Sequence, residues 1–177
     1  MRRLLFLAPL AVFGLVLIAF SAGLGRDPSV LPSMLLDKPL PPFSLPALDS
    51  GGAPLDSTKL RNGPPRLVNV FGSWCVACRY EHPELLALKA RGVIIDGLDW
   101  RDDPAAARRF LASAGNPYAE VGVDTTGHTA IDLGVAGAPE TFVVDRTGRV
   151  RYKVVGAITP DLWGRTLAPL MRRLERE

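Results

Sequence analysis

The sequence predicts an α/β domain with a parallel or mixed central sheet flanked by helices, preceded by an N-terminal membrane helix. Three patterns carry the prediction. Short apolar runs at 66–71, 93–98 and 118–123 alternate with helical periodicity at 75–90 and 104–114, as in a sheet covered by its crossover helices. Residues 141–144 and 149–155 flank Asp145-Arg146-Thr147-Gly148, a hairpin signal. Residues 4–20 run without a charge.

The whole chain has 177 residues and a formal net charge of +3, with a pI of 9.1 and a mean hydropathy of +0.16. Both leanings belong to the first 26 residues. These hold Arg2, Arg3 and Arg26 and no acid, so residues 27–177 are neutral overall. Basicity confined to a leader leaves no footprint of nucleic-acid binding. The same stretch holds 18 apolar residues, and the remaining 151 keep about 65, an ordinary share for a globular domain with a full core. That content with zero net charge excludes a disordered chain, and two cysteines exclude a disulfide-rich scaffold.

Residues 4–20, with the small residues up to Leu24, give about 20 residues, roughly 30 Å as a helix, enough to span a bilayer. Arg2 and Arg3 ahead of the run place the N-terminus in the cytoplasm and the body on the far side. Residues 1–26 are therefore expected to be a single-pass signal anchor, with the domain in the periplasm or its equivalent. A cleaved signal peptide, cut after Ala19-Phe20-Ser21, is the rival reading, and either exports the domain. A buried core helix would need a polar face, which the run lacks.

Residues 27–42 carry Pro28, Pro32, Pro39, Pro41 and Pro42 and read as an extended linker, with the folded domain over 43–177. Residues 43–48 and 53–55, split by Asp49-Ser50-Gly51-Gly52, predict a small hairpin extension, and Asp56-Ser57 cap a helical turn after it. Arg66–Phe71 fits a buried strand. Helical periodicity from Cys75 to Ala90 stops at Gly92. A second buried strand over 93–98, an amphipathic helix over 104–114 opened by Asp102-Asp103, and a strand over 118–123 follow. The final helix, 160–177, turns Leu167, Leu170, Met171 and Leu174 to the core. There is no internal repeat and no low-complexity segment.

The chemistry concentrates in Trp74-Cys75-Val76-Ala77-Cys78, between a buried strand and a helix start. Residues three apart on a helix stand about 5–6 Å apart, inside the range of a disulfide. At a helix N-terminus the unpaired amides and the dipole favour a thiolate, so Cys75 is the attacking sulfur and Cys78, one turn deeper, resolves the mixed disulfide. A structural staple is the first alternative, yet closing a four-residue loop constrains the unfolded chain by only about 2 kcal/mol. A zinc site is the second; it would need four ligands, and His82 and His128 are the only imidazoles. The two histidines are otherwise expected on a helix surface and in a loop.

Two longer stretches extend the pattern: Phe71-Gly72-Ser73-Trp74-Cys75-Val76-Ala77-Cys78-Arg79 with Glu81-His82-Pro83, and Gly134-Val135-Ala136-Gly137-Ala138-Pro139-Glu140-Thr141-Phe142. They resemble the thioredoxin-like thiol:disulfide interchange proteins of cytochrome c biogenesis, the DsbE/CcmG family, over roughly residues 38–175. The resemblance implies a thioredoxin-like fold and a membrane-anchored protein-disulfide reductase with no cofactor. It implies apocytochrome c, or its thiol-handling maturation partners, as substrate, and a transmembrane thiol carrier as electron donor.

On the same footing Pro139 is the family's cis proline facing the cysteine pair, and with Ala138 and Trp74 forms the surface that binds substrate. Glu81 and Glu140 become the acidic residues of the active site. An adjacent carboxylate disfavours the thiolate, and burial raises the carboxyl's own proton affinity, fitting Glu81 to transfer protons as Cys78 is released. As bland readings, Glu81 and Glu140 are solvated residues. Pro83 interrupts the helix ladder, as in thioredoxin-like proteins. Asn69 stands where ordinary thioredoxins carry a buried acid, and it cannot shuttle a proton. Other functions on such a scaffold are a general periplasmic oxidant or isomerase, a copper metallochaperone using soft thiolates, and a non-catalytic binding module.

Overall fold

The computed structural model describes residues 8–24, 34–61 and 63–177, and the chain falls into two compact units, Met1–Val30 and Leu31–Glu177. The described part of the first is helix α1 (Ala8–Leu24), 17 residues without a charge. Among the described residues no helix is long and apolar enough to cross a membrane. Seventeen residues reach about 26 Å, short of a hydrocarbon core of about 30 Å. Arg2, Arg3 and Arg26, and the linker up to Ser33, lie outside the described residues.

The second unit is built on five strands: β3 (Arg66–Phe71), β4 (Ile95–Trp100), β5 (Val121–Asp124), β6 (Glu140–Val144) and β7 (Val150–Val155), after a two-stranded hairpin of β1 (Ser44–Leu45) and β2 (Leu55–Asp56). The sheet order is β5-β4-β3-β6-β7. Pairs β3–β4 and β4–β5 are parallel, while β3–β6 and β6–β7 are antiparallel, so the sheet is mixed. Parallel neighbours need long crossovers. Helix α2 (Val76–Ala90) and helix α3 (Pro104–Ala114) supply them.

Side-chain alternation splits the core in two. Leu67, Phe71 and Val143 face α2, α3 and the C-terminal helix. Val68, Val70 and Phe142 face the hairpin and the short helix α4 (His128–Asp132). The sequence pattern passed over α4, which is barely a turn long; His128 opens it rather than lying in a loop.

The segment expected as linker is folded in its second half. Leu36 bridges Val150, Pro39 bridges Arg149, and the Leu40 N–H donates to Gly148 O at 2.9 Å. Leu40 is buried in the second core. Prolines that lack a donor are tolerated along a sheet edge, so a proline-rich composition did not mean a free chain here.

The final helix is also not uniform. Helix α5 (Pro160–Leu162) leads into a π-helical stretch, Trp163–Leu167, before α6 (Ala168–Arg176). The wider π turn keeps Trp163, Leu167 and Met171 on the core side, while Leu170 is only partly buried.

Candidate active site

Helix α2 begins at the end of β3, and Cys75 is its N-cap. The Cys78 N–H donates to Cys75 Sγ at 3.1 Å. Cys75 and Cys78 form a disulfide with Cα atoms 5.3 Å apart, both buried at the edge of the core. Cys75 Sγ lies 3.4 Å from the carbonyl oxygen of Ala138, and the Ala138–Pro139 bond is cis. Pro139 is buried and Ala138 half-buried.

Trp74 is half exposed. Its indole N–H donates to Trp100 O at 3.3 Å, and the two rings stand 5.9 Å apart. Gly72 makes room for this ring: a Cβ there would come within 2.5 Å of the indole nitrogen. Val76 and Tyr80, exposed one turn apart on α2, continue an apolar rim beside the disulfide.

Glu81 is 2 % exposed rather than a solvated helix residue. Its two oxygens accept from Asn69 Nδ2 and from the Ile158 N–H, each at 2.9 Å. Those donors favour the carboxylate, but burial outweighs them and pushes the Glu81 carboxyl up to about 7. Asn69, which cannot titrate, ties the region together. Its amide also donates to Thr141 Oγ1 at 2.9 Å and accepts from the Tyr118 hydroxyl at 2.8 Å. Tyr118 stacks on Phe71 with centroids 4.7 Å apart, an approach that requires Gly97, where a Cβ would meet both rings at 2.9 Å.

Glu140 is placed elsewhere. It pairs with Val70 across the sheet, so its side chain shares the face of Phe142, opposite the face that packs Cys75, Cys78 and Thr141. There it accepts from the Ala136 N–H at 3.0 Å and forms a buried ion pair with Lys153 at 2.8 Å. Lys153 also donates to Gly134 O at 2.7 Å and lies over the Phe142 ring. The structure therefore brings Glu81, and not the Glu140 carboxylate, to the cysteine side of the sheet. Glu140 braces the Gly134–Glu140 loop from behind, and alternation along β6 is the signal that separates it from the cysteines.

Two further placements differ from the sequence reading. His82 is buried, not on the surface: its ring meets Gly115 O at 2.9 Å and packs on Phe110. Asp102, expected to open α3, instead accepts from the Ser73 N–H and, at 2.9 Å, from the Ser73 hydroxyl, while Asp103 caps the helix. Helix α2 continues through Pro83. Among the described residues no group of three or more His, Cys, Asp or Glu side chains is placed to hold a metal ion.

A dithiol at a helix N-terminus, open at Trp74 and backed by a buried acid, can exchange a thiolate with a substrate disulfide. The comparisons agree with this chemistry. The Redoxin family model matches residues 36–164. The chain is 44 % identical to the thiol:disulfide interchange protein DsbE of Pseudomonas aeruginosa, over 98 % of this chain and 96 % of that protein. It is 40 % identical to the thiol:disulfide interchange protein HelX of Rhodobacter capsulatus, over 96 % of each. The crystal structure of a putative thiol:disulfide interchange protein DsbE from Chlorobium tepidum superposes with a TM-score of 0.62 at 26 % identity, covering 78 % of this chain and 96 % of that one. Fold, cysteine pair and relatives together make the chain a thiol-disulfide oxidoreductase of thioredoxin-like fold, and it belongs to the Redoxin family among the DsbE/HelX thiol:disulfide interchange proteins.

Proposed function

We propose that the chain is a membrane-anchored periplasmic reductant, passing electrons through Cys75 and Cys78 to disulfides on the apocytochrome c pathway of cytochrome c maturation. The Cys75 thiolate attacks the substrate disulfide and forms a mixed disulfide. Cys78 loses its proton and attacks Cys75 Sγ, which releases the substrate as a dithiol and leaves the Cys75–Cys78 disulfide. A transmembrane thiol carrier returns the electron pair. Trp74 and the Ala138-Pro139 edge receive the substrate chain, which can pair with the backbone there.

The observation that carries the reading is Glu81, an acid buried one helical turn beyond Cys78 whose carboxyl is pushed up to about 7. At that value it takes the Cys78 proton near neutral pH and returns it. Once ionised, it withholds stabilisation from the neighbouring thiolate, which favours a reducing pair. Anchoring is supported by Arg2 and Arg3 ahead of the uncharged run at 4–20. The cytochrome c substrate is supported by the resemblance to the DsbE/CcmG family.

Cys78→Ala tests the reading, because it halts exchange at the mixed disulfide on Cys75. Expressed in the periplasm, it is expected to trap apocytochrome c or its thiol-handling partners. Recovery of a broad range of exported proteins would instead identify a general oxidant or isomerase. A reduction potential near about −120 mV, that of a strong dithiol oxidant, would overturn the reducing direction.

A further inference from the structure

The sheet face that carries the disulfide holds a second buried acid that the exchange scheme does not use. Asp99 stands opposite Phe71 in the β3–β4 register and is fully buried. Among the described residues neither of its oxygens meets an N–H or O–H donor. A buried carboxylate stays ionised only with donors or a cation around it, and Asp99 has neither.

The groups that face it are acidic or apolar. Asp102 and Asp103 approach from the loop ahead of α3, and the Tyr118 hydroxyl from the chain before β5. Phe71 and Val123 flank it in the sheet. From α2, Arg79 commits its guanidinium to Ser73 O at 2.8 Å and to the Phe110 ring. Burial first, then the Asp102 and Asp103 charges, push the Asp99 carboxyl up to about 8. At neutral pH it is therefore a carboxylic acid with one O–H to give, and the side chain it meets is Asp102. Asp102 in turn holds both the backbone N–H and the hydroxyl of Ser73, two residues before Cys75.

We propose that Asp99 is a positioning residue for the exchange reaction: its carboxyl O–H donates to Asp102, and this acid pair anchors the Ser73-Trp74-Cys75 turn that presents the attacking sulfur. When Asp99 loses its proton to solvent, two carboxylates face each other with no cation between them, and the hold on Ser73 is lost. The pair then sets an alkaline limit on how well Cys75 is presented. The proposal rests on thiol exchange at Cys75 and Cys78. Absence of any exchange by the unchanged protein removes both readings, whereas exchange without the signature below removes only the role of Asp99.

The experiment follows the reaction of the reduced full-length protein with oxidised glutathione from about pH 6 to pH 9, for the unchanged chain, Asp99→Asn and Asp99→Leu. Asparagine keeps the shape and offers N–H donors at every pH; leucine offers none. Asp99→Leu is expected to slow exchange about five-fold at pH 6.5 through loss of one hydrogen bond, and Asp99→Asn to recover it. The ratio of Asp99→Asn to unchanged rate is expected to climb to about five-fold by pH 9. A flat ratio, or Asp99→Leu matching Asp99→Asn, overturns the proposal. Should Asp99→Leu fail to fold, the ratio decides together with the Ser73 amide resonance. That resonance is expected to titrate near pH 8 in the unchanged chain and not in Asp99→Asn. Equal titration in both overturns the proposal.

Discussion

Replacing Glu81 with Gln removes one proton from the folding equilibrium, and the structure fixes the sign and size of the effect. Burial raises the folded-state value from 4.5 to about 7, so between those limits the folded protein keeps a proton that the unfolded chain has released. The stability from this source is complete below about pH 4.5, falls as pH rises to about 7 and is level above that. At 1.36 kcal/mol per pKa unit, the shift amounts to about 3 kcal/mol. Any difference in fit between Gln and the neutral carboxyl is the same at every pH, so it moves the whole curve without changing its slope. Asp99 titrates in the same direction in both chains and cancels from their difference. Urea unfolding of the oxidised proteins at pH 4 and pH 8 is the assay. The stability difference is expected to change by about 3 kcal/mol in favour of Glu81→Gln on going to pH 8, a relative midpoint shift of about 1.5 M in urea. A difference that stays constant between the two pH values would refute the account of Glu81 as a proton held by burial.

Asn69→Leu keeps the volume but strips partners from Glu81, Thr141 and Tyr118. It is expected to cost about 2–4 kcal/mol in urea unfolding, and an unchanged midpoint would count against the network. Lys153→Met leaves the Glu140 carboxylate buried without its cation and is expected to cost about 3 kcal/mol. Adding Glu140→Gln should recover most of that loss, and a double variant no more stable than the single one would refute the pairing.

Short apolar runs set between stretches of helical spacing were enough to place the crossovers, because the central strands are buried on both faces and the helices between them on one. Pro104–Ala114 was legible to its ends, since Asp103 caps it and a proline opens it. Shorter features were not: α4 offers five residues and no side-chain cap, and Leu36 to Leu40 adds to β7 through backbone bonds that proline-rich composition conceals. At the site, Cys75 and Cys78 were legible because the chemistry depends on their spacing. The burial of Glu81 was legible only through the family resemblance, because a glutamate on an amphipathic helix looks the same whether it meets water or Asn69. Asp99 lay past the expected end of its strand, at residue 98. Its environment depends on Asp102 and Tyr118 arriving from two other elements.

Glu81 and Cys78 share one helix, so the spacing between acid and sulfur is set by helix geometry and not by packing between elements. The donors that tune the acid come from outside that helix, Asn69 from β3 and Ile158 from the approach to α5. Any rocking of α2 against the sheet would carry carboxyl and sulfur together while stretching both external bonds. Fewer donors leave the proton more tightly held. A partner that levers α2 on docking would thereby retune the acid without moving it from the thiol, converting a mechanical displacement into a change of proton affinity.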